Sequence, residues 1–282
     1  MLKITPAAGS RPLEALPCGL GESLLAEAIY TQTGDSMSKI HFVGGEKGGV
    51  GKSVLARLLT QYHIDHQRPF TAFDTDRSHG ALLRFYAGFS RPIALDEFES
   101  ADQLMEAALA TDQDVLVDLA AQTSLPLHRW IEQNDLLSLA ADEQVPVVFW
   151  HVLDDGADGI ALLDALFERY DHAASYVVVK NYGRGKDFSA FESSPVRTRA
   201  QWLGAAVIDL PELHAGTMRK IDHQGTSLWA ATHNRDSGLG LMDRQRVKVW
   251  VRRVYQQLDQ VSADLFTPAP APVPVPDPTD PA

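Results

Sequence analysis

One stretch constrains this chain more than any other: Gly44-Gly45-Glu46-Lys47-Gly48-Gly49-Val50-Gly51-Lys52-Ser53. The apolar run Ile40-His41-Phe42-Val43 precedes it, and the residues from Val54 to Tyr62 follow with apolar positions at helical spacing. Strand, glycine-rich loop and helix form the context in which a backbone wraps an anion. Glycines lack the Cβ that would block close approach, so the N–H groups of Gly48, Gly49, Val50 and Gly51 can turn inward. The helix then starts with its positive dipole end at the same point. On this reading Lys52 supplies a point charge for β- and γ-phosphates, and the Ser53 hydroxyl is placed to ligate Mg²⁺.

The strict G-x-x-x-x-G-K-[ST] pattern is not met, because Glu46 stands where its first glycine should be. A second lysine, Lys47, precedes Lys52 within Lys-Gly-Gly-Val-Gly-Lys-Ser. This run resembles the deviant Walker A loop of the MinD/ParA family of P-loop ATPases. The resemblance implies an ATP-binding protein that forms a homodimer with ATP, Lys47 reaching a phosphate across the interface. It also implies a protein partner that stimulates slow hydrolysis. Val54 is counted with the nucleotide-contacting residues, although many relatives carry a second hydroxyl there.

Composition bounds the alternatives. The chain of 282 residues, 45% hydrophobic and 22% charged, suits one large α/β domain of about 230 residues plus tails. Its apolar runs fall short of the roughly 18 residues of a membrane span, and its start does not read as an export signal, so a cytoplasmic protein is expected. Cys18 is the single cysteine. That excludes a disulfide framework, and with it the branches of the resembled group that hold iron–sulfur clusters or zinc on paired cysteines. A net charge of −12 restricts any DNA contact to a local basic patch.

Three segments are expected. Residues 1–37 read either as a disordered arm or as an over-extended start before Met37. Residues 38–265 form the P-loop domain, and 266–282, alternating proline with small residues, a disordered tail. Within the domain, Pro69–Asp76 reads as a strand ending in Asp74 and Asp76, two carboxylates on alternate positions and hence on one side of an extended chain. By resemblance this is a switch I Asp-x-Asp, Asp76 orienting the attacking water and Asp74 lying near the magnesium shell. Residues 95–112 suit a helix with an acidic face. Asp114–Asp118 suits a buried strand whose Asp118 resembles the Walker B aspartate that holds Mg²⁺. After it, Gln122 and Thr123 either contact the γ-phosphate or water, or cap the next helix.

A fourth strand is expected over Val145–Trp150, then a loop from His151 to Gly156 and a helix over 158–170. A fifth strand, Ser175–Asn181, ends in an amide that by resemblance recognises adenine. Pro211, after Gly204–Leu210, resembles the proline beside the base. An Asn-Lys-x-Asp guanine signature does not occur, which favours ATP over GTP. The last helix, about Leu241 to Leu265, has an apolar stripe of Val247, Trp250, Val251, Val254, Leu258 and Val261. Its basic first half is read first as a solvated face, second as a surface for DNA or acidic partners, third as a membrane-binding face. His63 and His66 lie three apart without further ligands at metal spacing.

The expected architecture is a three-layer α/β fold of P-loop NTPase type, a mostly parallel sheet with helices on both faces and the chemistry at its C-terminal edge. The expected function is a dimerising switch ATPase in plasmid or chromosome partition, mobilisation, or positioning of a cellular machine. The alternatives are a P-loop ligase or kinase acting on a small molecule, and a weakly hydrolysing nucleotide-binding scaffold.

Overall fold

A computed structural model describes residues 38–77 and 80–266. The expectations for 1–37 and 267–282, and for Ser78 and His79, lie outside the described residues.

Seven strands form one sheet: β1 (Ile40–Gly44), β2 (Phe70–Asp74), β3 (Ser90–Pro92), β4 (Asp114–Asp118), β5 (Val147–Leu153), β6 (Ser175–Asn181) and β7 (Ala206–Leu210). Their order is β3-β2-β4-β1-β5-β6-β7, and every pairing is parallel. A parallel sheet needs helical crossovers, and these cover both faces. In chain order they are α1 (Lys52–Asp65), α2 (Ala81–Phe85), α3 (Phe98–Ala110), α4 (Ser124–Gln133), α5 (Leu136–Asp142), α6 (Ala157–Tyr170), α7 (Ser189–Glu192), α8 (Pro195–Trp202), α9 (Ala215–Gln224), α10 (Leu228–His233) and α11 (Leu241–Phe266).

The period-two alternation of the strands divides the core into two layers. Ile40, Phe42, Val115, Val117, Phe149 and Val178 face helices α3 to α8. Val43, Leu116, Val148, Trp150, Val177 and Val179 face α1, α2 and α9 to α11. β1 therefore lies at the centre with both faces covered, and the loop after Gly44 emerges where the strand order diverges to either side. That is the crevice in which open α/β sheets bind ligands.

Several boundaries differ from expectation. The strand expected over Pro69–Asp76 stops at Asp74, so Asp76 lies beyond it and the two carboxylates do not share an extended face. The proline of the fourth strand precedes the strand, which begins at Val147 and takes in His151–Leu153, expected as loop. The helix over 95–112 is shorter, Phe98–Ala110. β3 was not anticipated; three residues ending in proline carry no periodic signal, and proline is tolerated at this sheet edge.

α11 buries all six residues of its stripe. Of its basic residues, Arg244 donates to the Leu239 carbonyl and Arg246 pairs with Asp243, while Lys248, Arg252 and Arg253 are exposed. The structure thus fits a docking helix with a solvated face. Among the described residues, no helix is long and apolar enough to cross a membrane. His63 turns its ring to the Leu59 carbonyl and Asp114, and His66 turns to the Tyr62 carbonyl.

Leu258 is on the buried face of this helix, 2% exposed. Leu258→Ala should lower unfolding free energy in urea by about 2–4 kcal/mol through the cavity it leaves. Arg253→Ala should stay within about 0.5 kcal/mol. Equal losses would contradict the docking role.

Candidate nucleotide site

The loop between β1 and α1 brings the lysines to opposite ends of one short arc. Lys52 opens α1 and is buried, its Nζ donating to the Lys47 carbonyl at 2.8 Å. Burial pulls the Lys52 ammonium below its ordinary pKa, and Asp118 partly restores it. Gly51 takes a left-handed backbone, φ 107°, which an L side chain rarely adopts. Val54 and Leu55 close the first helical turn on its carbonyl. Gly48 and Gly49 are exposed on the outer rim, and Ser53 and Val54 are half-buried at the helix start.

Lys47 turns away from this cradle. Its Nζ lies 2.9 Å from one carboxylate oxygen of Asp154 and 3.1 Å from the other, with Asp158 at 3.8 Å. The hydrogen bond to Asp154 raises the Lys47 pKa, and the same pairing holds the Asp154 carboxyl down against its desolvation. Asp154 follows β5 directly. The sequence placed it at the correct sheet edge but gave it no role, since no local pattern reports a pairing across 107 residues.

Two carboxylates sit beside the loop. Asp74 and Asp118 end β2 and β4 in register, on the α1 side of the sheet. The Ser53 hydroxyl lies near enough to lower the Asp118 pKa, and Asp118 Oδ1 is buried without a hydrogen-bond partner. Burial, reinforced by the charge of Asp74, pushes the Asp118 carboxyl up to about 7, against the lowering effect of Ser53 and Lys52. An orphaned carboxylate oxygen next to a hydroxyl is the donor chemistry a hard cation takes, so these two residues fit Mg²⁺. Among the described residues, no cluster of three or more His, Cys, Asp or Glu could hold a metal by itself.

Asp74 organises its own loop. It accepts N–H groups from Asp76 at 2.9 Å, Leu82 at 2.9 Å and Leu83 at 3.4 Å. Burial nevertheless pushes its carboxyl above the usual range. Gly80 is required here, because a Cβ would lie 2.4 Å from the Asp74 carboxylate. Asp76 follows in the turn, half-buried.

Thr75, between them, escaped the sequence reading. Its hydroxyl donates to the Asp118 carbonyl at 3.0 Å and accepts the Ala120 N–H at 2.7 Å. It ties the loop after β2 to the loop after β4. In the latter, Gln122 is exposed with a left-handed backbone, φ 72°. Thr123 occupies the cap position of α4, yet its hydroxyl donates to the Ala120 carbonyl at 2.8 Å and does not cap the helix.

On the other flank, a cavity of about 270 Å³ is lined by Gly51, Val54, Asn181, Pro211, Met218 and Trp250, among others. Trp250 Nε1 donates to the Pro211 carbonyl at 2.6 Å. The buried Asn181 amide contacts the glycine-rich loop and its own turn.

No family model matches the sequence. Similar sequences include a protein TraL from Escherichia coli, 29% identical over 240 residues and covering 79% of this chain and 98% of TraL. A second Escherichia coli TraL is 25% identical over 247 residues, covering 80% and 99%. Protein MobD of Acidithiobacillus ferrooxidans is 25% identical over 178 residues, covering 62% and 78%. Similar solved structures include a ParA family ATPase from Chlorobium tepidum TLS, with TM-score 0.48, 10% identity, and 78% and 99% of the two chains covered. MinD from Aquifex aeolicus superposes with TM-score 0.46, 14% identity, and 78% and 97% covered.

The raised Asp118 pKa gives a sign that can be checked. The fold favours the neutral carboxyl, so ionising it at neutral pH costs stability. Asp118→Asn, measured without nucleotide or Mg²⁺, should raise the melting temperature at about pH 8 by roughly 3–8 °C. The gain should shrink as pH falls from about 7 toward the ordinary carboxylate range near 4. A lower melting temperature at every pH would contradict this assignment.

Proposed function

We propose that this chain is an ATP-dependent dimerising switch, a slow ATPase whose useful output is a change of partner. The observation that carries the reading is the separation of the lysines. Lys52 is buried in its own phosphate cradle, while Lys47 is held outside it by Asp154, on the rim where Glu46, Gly48 and Gly49 are exposed. A cation turned out of its own site on an exposed rim supports the reading in which it completes the site of a second copy. Leu125, 76% exposed in the first turn of α4, adds an apolar side chain after the Asp118 loop.

In this reading the loop N–H groups and Lys52 bind the β- and γ-phosphates. Ser53 and Asp118 hold Mg²⁺, which when bound neutralises phosphate charge. Asp76 orients the attacking water, and Thr75 couples its position to the Asp118 loop. Asp74 holds the switch loop in shape through backbone N–H groups. Lys47 exchanges Asp154 for the phosphates of the partner copy, and hydrolysis removes the charge that keeps it there. Of the processes such switches serve, we favour mobilisation, with which the names of the TraL and MobD relatives accord, over partition or positioning of a cellular machine.

One observation favours a second reading, a ligase or kinase acting on a small molecule. A cavity of about 160 Å³ lies beside the loop, lined by Gly45, Glu46, Leu127, His128, Phe149 and Arg169, among others. Light scattering separates the two. The switch requires a dimer with ATP–Mg²⁺ and a monomer with ADP–Mg²⁺. Lys47→Ala should remain monomeric, and Asp76→Ala should stay dimeric with hydrolysis at least ~100-fold slower. Asp154→Ala, which releases Lys47, should dimerise at lower ATP concentration. A monomer under all conditions would overturn the switch and leave the small-molecule reading.

A further inference from the structure

A groove of about 270 Å³ lies between α11, α10 and the end of α1, lined along α11 from Lys248 to Asp259. Its floor is apolar, with Leu228 and Val251 buried. Its walls carry two aromatic pairs. Trp229, 52% exposed, stacks on His233 at 5.4 Å, and Tyr255 meets His66 at 5.4 Å. Tyr255 is fixed by its hydroxyl, which donates to Asp65 at 2.8 Å.

Charge is graded along the groove. Asp259 and, through Tyr255, Asp65 mark the end nearer the C-terminus of α11, while Lys248 and Arg252 mark the other. Both cations are exposed, and among the described residues neither side chain has an ion pair or hydrogen bond.

Residues 267–282 follow α11 directly and match this groove in chemistry, polarity and length. Proline occupies every second position from Pro268 to Pro278. Each proline fixes its own φ and biases the residue before it toward extended backbone, so the sequence favours a polyproline II strand. Aromatic-lined grooves bind that form at low entropic cost. The segment is neutral from Thr267 to Pro276 and acidic after it, at Asp277 and Asp280. At about 3.1 Å per residue, Asp277 reaches up to about 34 Å from Phe266. Arg252 and Lys248 lie about 21 and 27 Å back along α11, at about 1.5 Å per residue. A tail that reverses within a few residues and runs antiparallel to α11 therefore lays its neutral prolines past Asp259 and the aromatic pairs. The same path brings the two aspartates to Arg252 and Lys248.

We propose that residues 267–282 dock on the groove between α10 and α11 of their own chain, prolines against Trp229 and Tyr255, Asp277 and Asp280 against Arg252 and Lys248. This docking is independent of the nucleotide reading.

The test keeps the chain at full length. In one variant, glycine and serine replace residues 267–282, and a fluorescent peptide of the original 267–282 sequence is titrated in by anisotropy, with thermal melts to confirm folding. The variant should bind the peptide. Wild type should bind it at least about tenfold more weakly, because its own tail competes at a roughly millimolar effective concentration. Trp229→Ala in the variant should weaken binding about tenfold. Lys248→Glu with Arg252→Glu should weaken it similarly, and a peptide carrying Asp277→Lys and Asp280→Lys should recover that loss. A peptide with glycine for every proline should not bind. No binding to the folded variant, equal affinity for variant and wild type, or equal binding of the glycine peptide would overturn the inference. So would light scattering that finds a wild-type dimer without nucleotide and a monomeric variant, which would seat the tail on a second copy.

Discussion

A lysine ammonium taken out of water must be met by compensating partners, and Lys52 is met by the Lys47 carbonyl and the field of Asp118. That is a partial answer, and the surrounding architecture follows from it. A loop tight enough to fold its own carbonyl onto the ammonium needs glycine at Gly51, where φ is positive. It also needs a rigid support, which β1 provides from the centre of a sheet covered on both faces. On the proposed function, a polyanion would supply what the fold leaves incomplete.

The carboxylates repeat the logic with the opposite sign. Parallel register sets Asp74 beside Asp118, and burial raises both pKa values. Asp74 is compensated by backbone N–H groups, whereas Asp118 keeps a buried oxygen without a partner. The two carboxylates therefore do different work, one shaping a loop and the other presenting an open ligand position. Thr75 makes the two loops a mechanical unit, so a change at either is felt at the other. Stability withheld at such a site is available to a ligand that satisfies it.

Much of the fold was legible in the sequence because it depends on local pattern. The glycine loop, the apolar strands and the stripe of α11 each announce themselves within a few residues, and each exists where expected, although the bounds of β2 and β5 differ by up to three residues. β3 was hidden because three residues are too few to show a period. The limits of β2 were misread because Asp74 bends the chain onto its own carboxylate, a decision made by the N–H groups of residues up to nine positions away. The pairings of Lys47 with Asp154 and of Asn181 with Val50 span 107 and 131 residues, and no spacing rule reaches that far. A residue type can suggest a role, but the partner that claims its side chain is set by the tertiary fold.

The central claim is that a complete site is shared between two copies, and mixing two inactive variants tests it most directly. Lys47→Ala keeps its own Mg²⁺ and phosphate groups but has no lysine to give. Asp118→Asn has lost its own site but still offers Lys47. Combined with ATP–Mg²⁺, they should form a mixed dimer with one whole site, and the mixture should hydrolyse ATP well above the sum of the separate variants. A rate equal to that sum, with both variants folded, would contradict the account.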